Sequence, residues 1–253
     1  MHYLNEVNIN ISGHVSSGTT ITALILAYML KKRFVYAGGT YKFIAKKLGY
    51  DPKSGGLLEY EKKYGEKWDV LWEHYIAWKL EHERNLLVNS KIAGFFTESK
   101  PWLFEAFITA SPEVRSKRAG TDKRTENVVK RDHELQTRWK KLFNIDLLDL
   151  DEIRATHDYL CENDTLSIAQ TAHEIFNVLR KALSLKEQFL FSDFEKVEKI
   201  ALAKGKDFFY EKLEEKNQLI DYPEVFKDWV THFEDELADT ADEWQGVVKK
   251  YAA

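Results

Sequence analysis

The first apolar positions form a short β-branched run, residues 8–12 (NINIS). A turn with a glycine at each end follows, and then residues 19–32 (TTITALILAYMLKK). That order predicts a buried strand, a turn and a helix. Residues 34–37 (FVYA) predict a second strand ended by Gly38-Gly39, and residues 41–48 a helix. Residues 51–56 (DPKSGG) have loop chemistry, and a long helical pattern rich in aromatics runs on to about Arg84. Residues 86–88 (LLV) and 103–110 (LFEAFITA) give two further short strands. Strands alternating with helices imply βαβ units, hence a parallel sheet covered on both faces.

From residue 112 to about 141 the chain turns charged and helical, with basic residues unusually dense. Residues 159–161 (YLC) suit a last strand, and residues 167–183 a helix. Beyond residue 184 the character changes. SDFE at residues 192–195 has the capping-box form, and DYPE at residues 221–224 is a second helix start. After it, Phe226, Val230, Phe233, Leu237, Ala241, Trp244, Val248 and Tyr251 recur at spacings of three and four. That is one apolar stripe on an amphipathic helix. The expected organisation is an α/β domain over residues 1–183 and an α-helical extension over residues 184–253. The stripe is first a packing face onto the domain, and second a contact for a homodimer or protein partner.

Composition narrows the class. The 253 residues are 44% hydrophobic, 31% charged and 13% aromatic, enough for one large domain or a domain with an appendage. A net charge of -4 argues against a dedicated nucleic-acid binder but leaves room for a local basic site. Cys161 is the only cysteine, so no intrachain disulfide forms and a reducing compartment is expected. No apolar run approaches the roughly 20 residues of a spanning helix, so no membrane role is expected. The first residues lack the basic and apolar regions of a signal peptide. A cytoplasmic setting is the expectation.

The opening turn carries the candidate chemistry. Gly13 and Gly18 frame a G-x-x-x-x-G loop between strand and helix. Backbone N–H groups in such a loop curl around a phosphate, and the helix N-terminus adds its positive dipole end. Gly13, Ser16, Ser17, Gly18, Thr19 and Thr20 are the candidate phosphate-binding set. Thr20, in the Ser/Thr slot of the motif, is the candidate Mg²⁺ ligand, whereas Thr19 stands where such loops carry a lysine. A plain strand–turn–helix has the same outline, and the loop alone does not separate the two.

Downstream motifs bear on that choice. GHVSSGTT is followed by YAGGTYK, NSKIAG, ITASPEVRSKR, RDHELQTRW and FNIDLLDLDEIRATHD, in that order. This series resembles the archaeal type of cytidylate kinase, a branch of the P-loop nucleoside monophosphate kinases in which threonine takes the lysine's place. It covers about the first 180 residues. The resemblance implies a P-loop NTPase fold: a three-layer αβα domain with a parallel sheet, a helical lid over about residues 112–141, and here an added C-terminal helical appendage. It also implies transfer of the γ-phosphate of ATP, with Mg²⁺, to a nucleoside monophosphate, CMP or dCMP. By position, Arg118, Arg131 and Arg138 are lid arginines that act on the moving phosphoryl group, with Arg115 a weaker candidate. Gly38, Lys42, Lys91 and Gly94 fall on the acceptor side.

The departures from the family pattern gather there. Gly39 replaces a polar or acidic residue, Asn89 a carboxylate, and Lys42 and Lys91 two arginines. A lysine keeps the charge but loses the bidentate fork of a guanidinium. Two alternatives therefore stand beside the monophosphate kinase. One is a P-loop kinase for another small acceptor, the other a nucleotide-binding regulatory protein on a kinase scaffold without turnover. Four residues attract attention on type alone. His14 sits inside the loop, where a position usually contributes backbone rather than side chain. His74 and His82 lack partners spaced for zinc, and Cys161 in an apolar run reads as a buried, inert thiol.

Overall fold

The β-branched run forms β1 (Asn8–Gly13), buried at every position. It leads through the glycine turn into α1 (Thr19–Leu30). The computed structural model describes residues 3–47, 49–51, 56–119, 128–220 and 222–232. Within them follow β2 (Arg33–Tyr36), α2 (Ala37–Lys47), α3 (Gly56–His82), β3 (Leu86–Asn89) and β4 (Leu103–Thr109). The basic region supplies α4 (Pro112–Ala119) and α5 (Val128–Phe143). Then come α6 (Leu150–Thr156), β5 (Tyr159–Glu162), α7 (Ile168–Ala182), α8 (Phe191–Glu215) and α9 (Tyr222–His232).

The strands make one parallel sheet of order β2-β3-β1-β4-β5. Ile9 pairs with Leu87 on one side and Phe104 on the other; Phe34 pairs with Leu87, and Phe107 with Leu160. Being parallel, all five strands end at the same rim. The chain leaves β1 towards β2, returns through β3, and crosses to β4 on the far side. Ligands of open α/β sheets bind at the C-terminal rim where the strand order reverses, which here is the end of β1. The resulting fold is a three-layer α/β fold, a parallel sheet between two layers of helices, with added C-terminal helices.

Apolar clusters pack both faces. On one, α1, α7 and α8 share a cluster that includes Leu24, Ile175, Phe194 and Phe209. On the other, α2, α3 and α9 bury Trp72, Tyr75, Phe226 and Trp229 together. The extension thus reaches both layers. Between α8 and α9, the N–H of Phe34 donates to the carbonyl of Gln218 at 2.6 Å, and the N–H of Ile220 donates to the carbonyl of Phe34 at 3.0 Å. No helix among the described residues is long and apolar enough to cross a membrane.

Four expectations are corrected or bounded. Gly38 and Gly39 do not end a strand; they lie in the first turn of α2, which starts directly at Ala37. A side chain at Gly39 would meet the Tyr222 hydroxyl at 2.6 Å and the Tyr36 ring at 2.7 Å, so this glycine admits α9. α8 begins at Phe191, ahead of Ser192, with the Asp193 carboxylate accepting the Leu190 N–H at 3.1 Å. Of the stripe, Phe226 and Val230 are buried, while Phe233, Leu237, Ala241, Trp244, Val248 and Tyr251 lie outside the described residues. The loop at residues 52–55 and the lid tip at 120–127 also lie outside them. α6 was not anticipated; the Asp149 side chain caps it by accepting from Asp151 and Glu152 N–H groups.

One buried cation has a measurable effect. Lys32 is fully buried, and its ammonium donates to the carbonyls of Leu4 and Val7, the latter at 2.6 Å. Burial pushes its pKa down to about 7, against the pull of Glu187. Between about pH 7 and the ordinary lysine value of roughly 10.4, the unfolded chain therefore holds more protons than the folded one. Stability relative to a Lys32→Gln variant should rise across that window, by on the order of 2–4 kcal/mol. Urea unfolding of both proteins at pH 7, 8.5 and 10 measures this, and parallel curves would contradict it.

Candidate functional site

The glycine loop is shaped from both ends. A side chain at Gly13 would lie 2.3 Å from the Ile108 carbonyl oxygen and 2.6 Å from Thr19 Cγ2, so only glycine fits. Gly18 precedes α1 in a left-handed conformation (φ 97°), which L side chains rarely adopt. Ser16 is also left-handed (φ 62°). Ser17 Oγ is buried with no hydrogen-bond partner among the described residues. Thr20 Oγ1 donates to Asn89 Oδ1 at 3.1 Å at the end of β3.

Three side chains lock the loop to its surroundings. Asn163, just past β5, donates to the Ser17 carbonyl at 2.8 Å and accepts from Arg118 at 2.8 Å. Arg118 in turn donates to the Asn163 carbonyl at 2.7 Å. His14 bonds through both ring nitrogens. Leu147 offers only a carbonyl, so Nε2 carries the proton it donates at 2.6 Å, and Nδ1 accepts the Thr109 hydroxyl at 2.7 Å. Burial pushes this imidazole down to about 4, so it is neutral at physiological pH and its ring is fully engaged in structure. Arg115 is likewise structural: buried, it donates to the carbonyls of Ala110 and Val15 and pairs with Asp132.

Two cavities meet at the loop. The larger, about 680 Å³, is lined by Ser16 to Thr22, Arg118, Asn163 and residues of α7 and α8. The smaller, about 330 Å³, takes in His14, Thr19, Gly38, Lys42, Lys91, Arg131 and Arg138. Ser16 and Thr19 line both. In the smaller one Lys91 Nζ donates to the Gly13 carbonyl at 3.0 Å, which sets its ammonium against the loop. Burial pushes this amine down to about 8, with Asp132 opposing and Arg131 and Arg115 reinforcing the shift. Arg138 is paired with Asp69 of α3, one turn from Glu73. Glu73 is buried, and its Oε2 has no hydrogen-bond partner among the described residues. Burial, and then the neighbouring Asp69, push its carboxyl up to about 8, so it is uncharged at neutral pH.

The expected site residues therefore divide. Gly13, Ser16, Ser17, Gly18, Thr19 and Thr20 form the loop. Arg118 borders the larger cavity, while Arg131, Arg138, Gly38, Lys42 and Lys91 border the smaller. Gly94 does neither: a side chain there would meet His157 Nε2 at 2.6 Å and Glu105 Oε2 at 2.9 Å, so this glycine packs closely against β4 and the α6–β5 connection. Asn89 bonds Thr20 and the Ile11 carbonyl and does not line the smaller cavity. Cys161 is buried and its thiol pushed up to about 12 by that burial, as an inert thiol should be. Among the described residues no cluster of histidines, cysteines and acids is arranged for a metal. Sequence reasoning missed Asp69, Glu73 and Asn163. The first two stand four apart on the α3 face that also carries Trp72 into the cavity, a helical spacing that was available.

The sequence is similar to those of known proteins. No family model matches the chain. The cytidylate kinase of Archaeoglobus fulgidus is 30% identical over 154 residues, which cover 56% of this chain and 79% of that protein. A cytidylate kinase of Saccharolobus islandicus is 28% identical over 154 residues, covering 55% and 75%. That of Sulfolobus acidocaldarius is 27% identical over 177 residues, covering 64% and 91%. Among solved structures, shikimate kinase from Acinetobacter baumannii superposes with a TM-score of 0.48 at 17% identity, over 71% of this chain and 94% of that one. With its parallel sheet, its glycine loop and the sequence matches, the chain belongs to the cytidylate kinase family of P-loop nucleoside monophosphate kinases, and is a nucleotide kinase.

Proposed function

We propose that the chain transfers the γ-phosphoryl group of ATP to a nucleoside monophosphate, with CMP or dCMP as acceptor. The observation that carries this is the pair of cavities sharing Ser16 and Thr19. A donor in the larger cavity and an acceptor in the smaller would face one another across the loop, which is the arrangement that direct phosphoryl transfer requires. The acceptor's own phosphate oxygen is the nucleophile, so the chemistry depends on positioning and charge neutralisation more than on a general base.

Each group then has a task. Loop N–H groups hold the donor phosphates, and Arg118, fixed by Asn163, stands beside them. Lys42, Lys91, Arg131 and Arg138 border the smaller cavity; Asp69 pairs with Arg138 and Glu134 with Arg131, and Glu73 is uncharged at neutral pH. Lysine and arginine bind a phosphate through charge-assisted hydrogen bonds. Lys91, held on the Gly13 carbonyl, supplies next to the loop the charge that Thr19 lacks. Thr20 Oγ1 and Asn89 Oδ1 are neutral, hard oxygens, the donor type Mg²⁺ accepts when phosphates and water complete its shell. When bound, Mg²⁺ would neutralise charge between the donor phosphates.

The test is ADP release from ATP and Mg²⁺ screened against the ribo- and deoxynucleoside monophosphates. CMP and dCMP should give the highest kcat/KM. A different preferred monophosphate would overturn the acceptor assignment. Protein that binds ATP yet stays silent with every monophosphate would overturn the monophosphate-kinase reading.

A further inference from the structure

The larger cavity is not closed by the kinase core alone. Its wall includes Glu198, Leu202 and Lys206 of α8, a helix of the C-terminal extension. Its lining combines two chemistries. The loop, Thr20 and Arg118 offer a site for anions, while Leu166 of the β5–α7 connection, Ile168 of α7 and Leu202 of α8 offer apolar surface. Leu202 is 73% exposed, although its neighbour Ala201 is buried in the core beneath. An exposed leucine needs no explanation by itself. One that lines the same cavity as a phosphate loop is another matter.

We propose that α8 forms the outer wall of the donor site: Leu202 packs against the base of the nucleoside triphosphate, and Lys206 adds a cation on the same wall. This rests on the donor-loop assignment above. The cavity's anion-binding and apolar side chains match the two chemistries of a nucleotide, and about 680 Å³ accommodates one. The wall is firmly seated. Phe194, Val197 and Ala201 are buried beneath it, and Glu198 Oε1 accepts the Ala169 N–H at 3.0 Å at the start of α7. α8 leaves the helical path at Gly205 (φ 71°, ψ −176°), immediately before Lys206. A helix of the extension therefore helps choose the donor, and displacing it would change donor affinity without touching the acceptor side.

The experiment uses the full chain and two probes, ATP and inorganic triphosphate, each with Mg²⁺, followed by calorimetry. Leu202→Ser should weaken ATP binding about tenfold and leave inorganic triphosphate unchanged, since only ATP carries a base. Lys206→Ala should weaken ATP as well. In turnover, KM for ATP should rise in both variants while KM for the preferred acceptor stays constant. Leu202→Met should retain wild-type affinity, and because Leu202 is exposed the melting temperature should not move. Wild-type affinity for ATP in both Leu202→Ser and Lys206→Ala would overturn the proposal and leave the donor loop standing. Failure of the wild-type chain to bind either probe would overturn the loop assignment itself.

Discussion

Replacing Gly13 with alanine should reduce ATP affinity at least ~100-fold. The new methyl would sit 2.3 Å from the Ile108 carbonyl oxygen, 2.6 Å from Thr19 Cγ2 and 3.0 Å from Ser17 Oγ. Ile108 cannot retreat, because it is the register partner of Gly13 in the β1–β4 ladder and Thr109 beyond it holds His14. The loop must yield instead. Its displacement moves the Gly13 carbonyl away from Lys91 Nζ and disorganises the N–H groups that would face the phosphates. Forcing atoms into a packed site costs about 1–3 kcal/mol, which a stable domain survives. The measurement is ATP calorimetry beside a thermal melt. A variant that remains folded and binds ATP as the wild type does would contradict the loop assignment.

Lys91→Ala should lower kcat by about 10²–10³-fold, the usual cost of removing one preorganised electrostatic stabiliser. The argument is geometric first: Lys91 Nζ lies 3.0 Å from the Gly13 carbonyl and borders the smaller cavity. Melting temperature should change much less than rate, since among the described residues the ammonium hydrogen-bonds that carbonyl alone. The pH profile adds a second readout. With its pKa brought down to about 8, mainly by burial, Lys91 loses its charge above that pH. Glu73 becomes an anion in the same range. Both changes subtract positive charge where an anionic phosphate would sit, so kcat should fall above about pH 8. The fall reports on the two groups as a coupled pair. Lys91→Arg, which keeps its charge at all working pH values, should move the descending limb to higher pH. An unaltered profile in that variant would assign the limb to Glu73 instead.

Much of the fold was legible because its signals are local. Five strands fell where β-branched or apolar runs met glycine or polar boundaries, and Ser167 caps α7 with Gln170 as a capping box should. The loop was legible for the same reason: two glycines at fixed spacing after a buried strand. What stayed hidden depends on distant segments. Gly38-Gly39 looked like punctuation because the residue that explains Gly39 is Tyr222, far along the chain. Gly94 was placed by motif order, yet its neighbours His157 and Glu105 show it to be a packing position. Spacing alone does not single out Asp69 and Glu73 in the sequence; their burial in the fold does. Lys91 was assigned to the acceptor alone, whereas its bond to Gly13 also ties it to the loop.

The short pairing of Gln218 and Ile220 with Phe34 carries one more implication. β2 is an outermost strand of the sheet, and a bare outer strand offers its free N–H and carbonyl groups to any second chain. The segment joining α8 to α9 occupies part of that rim. The extension therefore also serves solubility, as a guard against sheet-to-sheet association between copies. Cutting the chain at residue 183 would remove this guard along with the packing of both layers. Loss of activity in such a fragment would then reflect self-association as much as chemistry.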